Sequence, residues 1–260
     1  MAADGNVAGK LEAATELAHQ VAEVGRVMGL PYVAAAADIG NPRPMYGSDG
    51  RAFVETIFRW VDPDLRYWED RGFALRAAFI SAARVCSEPF YFTGGRLASW
   101  RPNAALEAVA AEGPIETFGV GSAIVAPAYL PDGVIGAVVW ASPDAGVDVA
   151  RVFAERAGEL HALALKFLAT YADATGRLAA GPPAHLTRRE VQCLKWAAAG
   201  KTDAEVARIV AISTPTVRFH INNAARKLGV AGRSQAIRRA ATLGYIGSGD
   251  PPPADSPPNK

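Results

Sequence analysis

The sequence predicts an α+β protein of two domains, an N-terminal α-β-α sandwich and a C-terminal domain of four short helices built as a helix-turn-helix. Three observations carry this expectation. Between residues 10 and 174, apolar residues recur at helical spacing on either side of short apolar strand-like runs. Between residues 185 and 246, one helix start follows another, each with a capping residue. The charge also divides along the chain: residues 1–184 hold 15 Lys+Arg and 21 Asp+Glu, whereas residues 185–246 hold 11 Lys+Arg and three acids.

The first element is an amphipathic helix from Lys10 to Gly29, with Leu11, Ala14, Leu17, Ala18, Val21, Val24 and Met28 on its apolar face. Tyr32 to Ile39 reads as a strand, and Asn41 to Gly50 as a Pro/Gly loop. Asp62-Pro63 opens a helix to about Arg71, Gly72 breaks it, and Phe73 to Cys86 forms the next. Phe90-Tyr91-Phe92 is a short aromatic strand or loop, and Pro102 to Glu112 is a helix ended by Gly113. Phe118 to Ala126 and Val134 to Ala141 are strands joined by the turn signal Leu130-Pro131-Asp132-Gly133. Val149 to Ala174 is a long amphipathic helix.

The basic module follows the Gly/Pro-rich stretch 176–184. Thr187 with Glu190, and Thr202 with Glu205, are capping boxes that open two helices. Gly200 supplies the left-handed stop between them. Ala211-Ile212-Ser213 is a tight connection to a third helix, capped by Ser213 or Thr214 with Pro215 in its first turn. That helix turns Val217, Ile221, Ala224, Ala225 and Leu228 inward. Ser234 is read as the cap of a fourth helix, Gln235 to Leu243. A second and third helix joined by so short a turn place the third in the major groove. Arg218 then meets a guanine edge, Asn222 one turn on reads adenine, and Phe219 touches a thymine methyl. The helix starts at Thr202 and Ser213/Thr214 offer backbone N–H groups to phosphate.

Composition excludes several classes. The 260 residues carry a net charge of +1 and are half hydrophobic, which is ordinary for a globular chain and unlike collagen or a disordered segment. Two cysteines, Cys86 and Cys193, stand far apart with no CxxC, so neither a disulfide framework nor a metal site is expected. No cofactor is expected. No GxSxG, P-loop, HExxH or GxGxxG occurs and the four histidines are scattered, so no catalytic residue is assigned. The N-terminus lacks a signal-like apolar core and no run reaches about 18 apolar residues, which predicts a cytoplasmic chain without a membrane segment. The tail 247–260 is Pro-rich and predicted disordered.

The stretch LTRREVQCLKWAAAGKTDAEVARIVAISTPTVRFHINNAARKLGV, closing in RSQAIRRAATLGYI, resembles the DNA-binding domain of the LuxR family of bacterial transcription regulators. Glu190, Leu194 and Gly200 fall on positions that family keeps. The resemblance implies double-stranded DNA as partner, base contacts from Arg218, Phe219 and Asn222, and phosphate contacts from Thr202, Thr214, Thr216 and Lys227. It implies a homodimer in which the fourth helix, with Ile237 and Leu243, packs on a second copy. It also adds RNA polymerase as a candidate partner.

Residues 1–175 have the element order of a PAS- or GAF-like sensor and resemble the autoinducer-binding domain attached in the same family. Aligned on Pro89-Phe90 and on Phe118, Gly119 and Pro127, that domain's pocket tryptophan falls on Asp64 and its tyrosine on Trp68. Its Asp-Pro pair falls on Ala77-Ala78, a second tryptophan on Phe92 and a glycine on Ala123. Without the carboxylate at residue 77, a lactone amide loses a charge-assisted bond of about 1.5–3 kcal/mol. The expected effector is therefore a small molecule other than a standard acyl-homoserine lactone. Tyr67, Trp68, Phe73, Ala77, Phe92, Trp100 and Ala123 are the candidate pocket residues, with Phe79 and Phe90 nearby. The helix 149–174 is apolar on more than one face, and Leu160 and Phe167 are candidates to meet a second subunit. The alternative is a ligand-independent regulator whose N-terminal domain serves dimerisation or a protein partner. A receiver-domain response regulator and an enzyme fused to a DNA-binding domain are disfavoured, since no acidic pair follows an early strand and no catalytic motif occurs.

Overall fold

The computed structural model describes residues 2–66, 69, 72–113, 115–177 and 184–247, and divides the chain into two units, Met1–Leu178 and Ala179–Lys260. The first unit contains α1 (Ala2–Val27), β1 (Tyr32–Ala36), α2 (Phe53–Thr56), α3 (Phe73–Arg76), α4 (Ala78–Val85), β2 (Phe90–Thr93) and β3 (Arg96–Ala98). It continues through α5 (Ala104–Ala111), β4 (Ser122–Tyr129), β5 (Ile135–Ser142) and α6 (Val149–Ala174). The strands form one antiparallel sheet in the order β1-β5-β4-β2-β3.

Alternation along the central strands builds two apolar layers. Ile124, Ala126, Ala128, Val138 and Trp140 face α1 and α6, where they meet Val21, Phe153, Leu160 and Phe167. Ala123, Val125, Ala137 and Ala141 face the other way, onto Phe79, Ala82 and Ala83 of α4 and Leu106 of α5. Helices thus cover both faces, and the predicted α-β-α sandwich is what forms. Trp140 is fully buried and donates its Nε1–H to the Val21 carbonyl at 2.8 Å. Gly25 makes that approach possible, because a Cβ there would lie 2.6 Å from Trp140 Cδ1.

Several boundaries differ from the sequence expectation. The first helix begins earlier, at Ala2, and β1 ends at Ala36. Residues 62–66 are a turn rather than a helix: Asp62 uses its own carboxylate to hold the Asp64 N–H at 3.0 Å, an Asx turn that competes with helix. The segment 73–86 is two helices, because Ala77 is extended at ψ 110°. β4 starts at Ser122, since Phe118 and Gly119 both have positive φ, 50° and 83°, which ends strand geometry. β3 was not anticipated; Gly94-Gly95 is the turn of a hairpin between β2 and β3. The expectations for Tyr67, Trp68, Arg71, residues 178–183 and the tail from residue 248 lie outside the described residues.

The second unit contains α7 (Arg188–Ala198), α8 (Asp203–Ile209), α9 (Thr214–Lys227) and α10 (Arg233–Thr242) around Cys193, Leu194, Val206, Val217, Ile221, Ala236 and Ala240. Both capping boxes form. α8 ends in a Schellman motif: the Ile212 N–H reaches the Ala207 carbonyl at 3.0 Å, with Ala211 at φ 55°. α10 starts two residues earlier than expected, at Arg233 rather than Gln235. Gly232 at φ 81° is its cap, Ser234 lies inside the helix, and Gln235 reaches back to the Ala231 N–H at 3.3 Å.

Candidate nucleic-acid interface and effector cavity

α9 has a buried side and an exposed side. Val217, Ile221, Ala224 and Ala225 are buried, which leaves Arg218, Phe219 and Asn222 on the solvent side. Phe219 is 61% exposed, which gains nothing from burial within this unit and fits a contact surface. Ser213 caps the helix through the Thr216 N–H at 3.2 Å, and the Ser213 and Thr216 hydroxyls lie 2.7 Å apart. Pro215 has no N–H, so Thr214 supplies the available donor of the first turn. Thr202 is exposed, but its hydroxyl and N–H are both engaged by Glu205, at 2.7 Å each. Asp203 and Ala204 carry the next N–H groups at the start of α8.

The three acids of residues 185–246 are all tied inward. Glu205 serves the α8 cap, and the Thr202 N–H and hydroxyl hold its carboxyl below the usual range. Asp203 accepts from Arg218 Nε at 3.1 Å and also from Arg233. Glu190 is 3% exposed and accepts from Lys227 Nζ at 2.8 Å and from the Thr187 N–H at 2.7 Å. Burial pushes the Glu190 carboxyl up, but the Lys227 ammonium and the Thr187 N–H and hydroxyl outweigh it and hold it low. Lys227, expected at a phosphate, is therefore first an internal counter-ion. Thr202, Thr214, Thr216, Arg218, Phe219 and Asn222 lie along α8 and α9 as the sequence placed them. Sequence reading did not single out Asp203 or Arg233; the only signal was that Asp203 is one of three acids in a basic module.

On the dimerisation candidates the structure corrects the sequence. Leu160 and Phe167 are both fully buried in the core, because they face the sheet. Leu165, on the opposite side of α6, is 42% exposed instead. Ile237 is partly buried against its own unit and Leu243 is 40% exposed.

In the first unit a cavity of about 70 Å³ lies between the sheet and the α3–α4 region. Ala36, Ala137 and Val139 form its floor, and Trp60, Leu65, Phe73, Ala77, Phe79 and Phe118 enclose it. Of the candidate pocket residues, Phe73 and Ala77 line it. Phe92 and Ala123 are buried in the same apolar layer, with Phe92 5.4 Å from Phe79 ring to ring. Trp100 does not belong to it: it is 55% exposed and packs on Phe153 of α6. Trp60 was not anticipated. Its Nε1–H is buried with no acceptor among the described residues. Drug-sized ligands fill about 300–1,000 Å³, so this cavity as folded admits only a few atoms. Among the described residues no His/Cys/Asp/Glu group is placed to hold a metal, and no helix is long and apolar enough to cross a membrane.

Residues 184–240 match the sequence model of the family described as bacterial regulatory proteins, luxR family. The transcriptional activator protein VanR of Vibrio anguillarum is 55% identical over 67 residues, 26% of this chain and 28% of VanR. The quorum sensing-dependent transcriptional regulator RpaR of Rhodopseudomonas palustris is 51% identical over 61 residues, 24% of this chain and 25% of RpaR. These matches span about a quarter of the curated relatives' length. The crystal structure of Escherichia coli SdiA aligns over 90% of this chain and 92% of that one, at 17% identity and a TM-score of 0.47.

Proposed function

From the premise that residues 184–240 form a LuxR-family helix-turn-helix domain, we propose that this chain is a transcription regulator that binds double-stranded DNA as a homodimer. α9 enters the major groove. Arg218 and Asn222 read base edges, and Phe219 packs on a thymine methyl. One observation carries the reading. Every acid of residues 185–246 is held by an internal partner, while Arg218, Phe219 and Asn222 stand exposed together on α9. A helix face without unpaired carboxylates suits a polyanion. α10, through Leu243 and the outer part of Ile237, packs on a second copy, and RNA polymerase is a further partner.

The N-terminal unit is the input. Its effector is a small molecule other than a standard acyl-homoserine lactone. Ala77, which lines the cavity, cannot accept an amide N–H through its side chain, whereas the buried Trp60 N–H has no acceptor among the described residues. A second reading is that this unit serves dimerisation or a protein partner without a ligand. The small volume of the cavity beside Ala77, about 70 Å³, supports it, whereas a larger cleft of about 480 Å³ that shares Trp60 and Leu65 in its lining speaks for a ligand.

Two measurements on the full chain test these readings. Fluorescence anisotropy with a random-sequence duplex is expected to show binding that weakens steeply with salt, as released counter-ions require. Binding that is absent or indifferent to salt contradicts the DNA reading. Native mass spectrometry of the same sample separates the inputs: an extra small mass on each subunit supports an effector, and a bare dimer supports the second reading.

A further inference from the structure

Asp203 stands at the first position of α8 and uses its two carboxylate oxygens in two directions. Oδ1 accepts from Arg233 Nη1 of α10, and Arg233 Nη2 donates to the Lys201 carbonyl. Oδ2 accepts from Arg218 Nε at 3.1 Å. The Asp203 and Arg233 side chains are 23% and 32% exposed, whereas Arg218 is 68% exposed. The carboxylate is thus fixed from the inside by a half-buried arginine that is itself held twice. Only its outer oxygen is offered to Arg218, and it takes that guanidinium by Nε.

This geometry has a chemical consequence. A guanidinium meets guanine O6 and N7 with two parallel N–H groups. An arginine held at Nε keeps its Nη1/Nη2 edge available, and that edge is the fork that makes a bidentate pair. A free arginine on an exposed helix samples many rotamers and serves a phosphate oxygen as well as a base. We infer that Asp203 is a specificity-determining residue: it positions Arg218 so that the Nη edge selects guanine, and Arg233 anchors Asp203 for that task. The inference rests on the reading that α9 enters the major groove. It goes beyond that reading by assigning base preference to a residue that touches no base.

The test is selection of duplexes from a random pool by the full chain, followed by affinity measurement at each position of the enriched site. Arg218→Ala first locates the position that Arg218 reads, where discrimination falls by about tenfold or more. Asp203→Ala is expected to relax that same position by roughly three- to tenfold and to leave the position read by Asn222 unchanged. Asp203→Ser, which keeps a residue suited to the first turn of a helix but cannot reach Arg218, gives the same pattern if the alanine variant folds poorly. A merely structural role would lower affinity at all positions alike, and that result overturns the inference. A uniform gain of affinity with unchanged preference also overturns it, since it would show that Asp203 only repels phosphate. If Arg218→Ala alters no position, the groove reading itself fails, and the inference falls with it.

Discussion

Glu190 and Lys227 form a 2.8 Å ion pair across the C-terminal unit, 37 positions apart in sequence, with the Glu190 side chain 4% exposed. The same carboxylate closes the α7 capping box, so one group ties the start of α7 to the end of α9. Glu190→Gln keeps the shape and loses the charge. It is expected to cost about 1–3 kcal/mol at neutral pH. The sign of the pH dependence follows from a carboxyl held below its ordinary range. Its contribution is complete above the unfolded-chain value of about 4.3 and is lost as pH falls through the lower folded value. Hydrogen exchange of α7 and α9 amides should show a wild-type advantage at pH 7 that disappears in acid. An advantage independent of pH would contradict the pairing.

Gly25 and Trp140 fix how α1 lies on the sheet. A Cβ at residue 25 would sit 2.6 Å from Trp140 Cδ1 and 2.7 Å from the Leu30 carbonyl oxygen. Gly25→Ala should therefore destabilise the N-terminal unit by about 1–3 kcal/mol through overpacking, against the small gain an alanine brings to an ordinary helix. Urea unfolding followed by the Trp140 environment measures this. A variant as stable as the parent would mean that α1 is free to shift.

Ala211 occupies the left-handed position of the α8 Schellman motif, at φ 55°. An L-residue with a Cβ costs about 1–2 kcal/mol there. Ala211→Gly removes that strain and loosens the unfolded chain, so a net stabilisation of up to about 1 kcal/mol is expected. A lower thermal midpoint in calorimetry would show that the turn is not strained.

Leu160 and Leu165 separate core from surface on α6. Leu160→Ala opens a cavity in the core and should cost about 2–5 kcal/mol of stability. Leu165→Asp should leave folding nearly unchanged and weaken self-association if this face of α6 meets a second copy. Sedimentation velocity of folded samples distinguishes the two; unchanged association in Leu165→Asp removes α6 from the dimer contact.

The C-terminal unit was legible because its information is local. Thr187 with Glu190, Thr202 with Glu205, and Ser213 before Pro215 each specify a helix start within four residues. Val149–Ala174 was legible for the same reason, as one long periodic helix with Asp148 before it. What failed depended on tertiary context. Which apolar face of α6 meets the sheet is not written in α6, so Leu160 and Phe167 looked like surface candidates. Ala77 breaks a run that reads as one helix. Asp203 joins Arg218 and Arg233 from 15 and 30 positions away, which no spacing rule reveals. Trp60 gave no local signal, because its significance is a buried N–H without a partner among the described residues.

The most direct test of the central claim, that the exposed side of α9 reads bases, is duplex selection from a random pool by the full chain and by an Arg218→Ala, Asn222→Ala double variant. The parent is expected to enrich inverted half-sites spaced by about 10–10.5 base pairs. The double variant should still bind duplex with comparable salt dependence while losing about tenfold or more of its base discrimination. A double variant that enriches the same sequence as the parent would contradict the account.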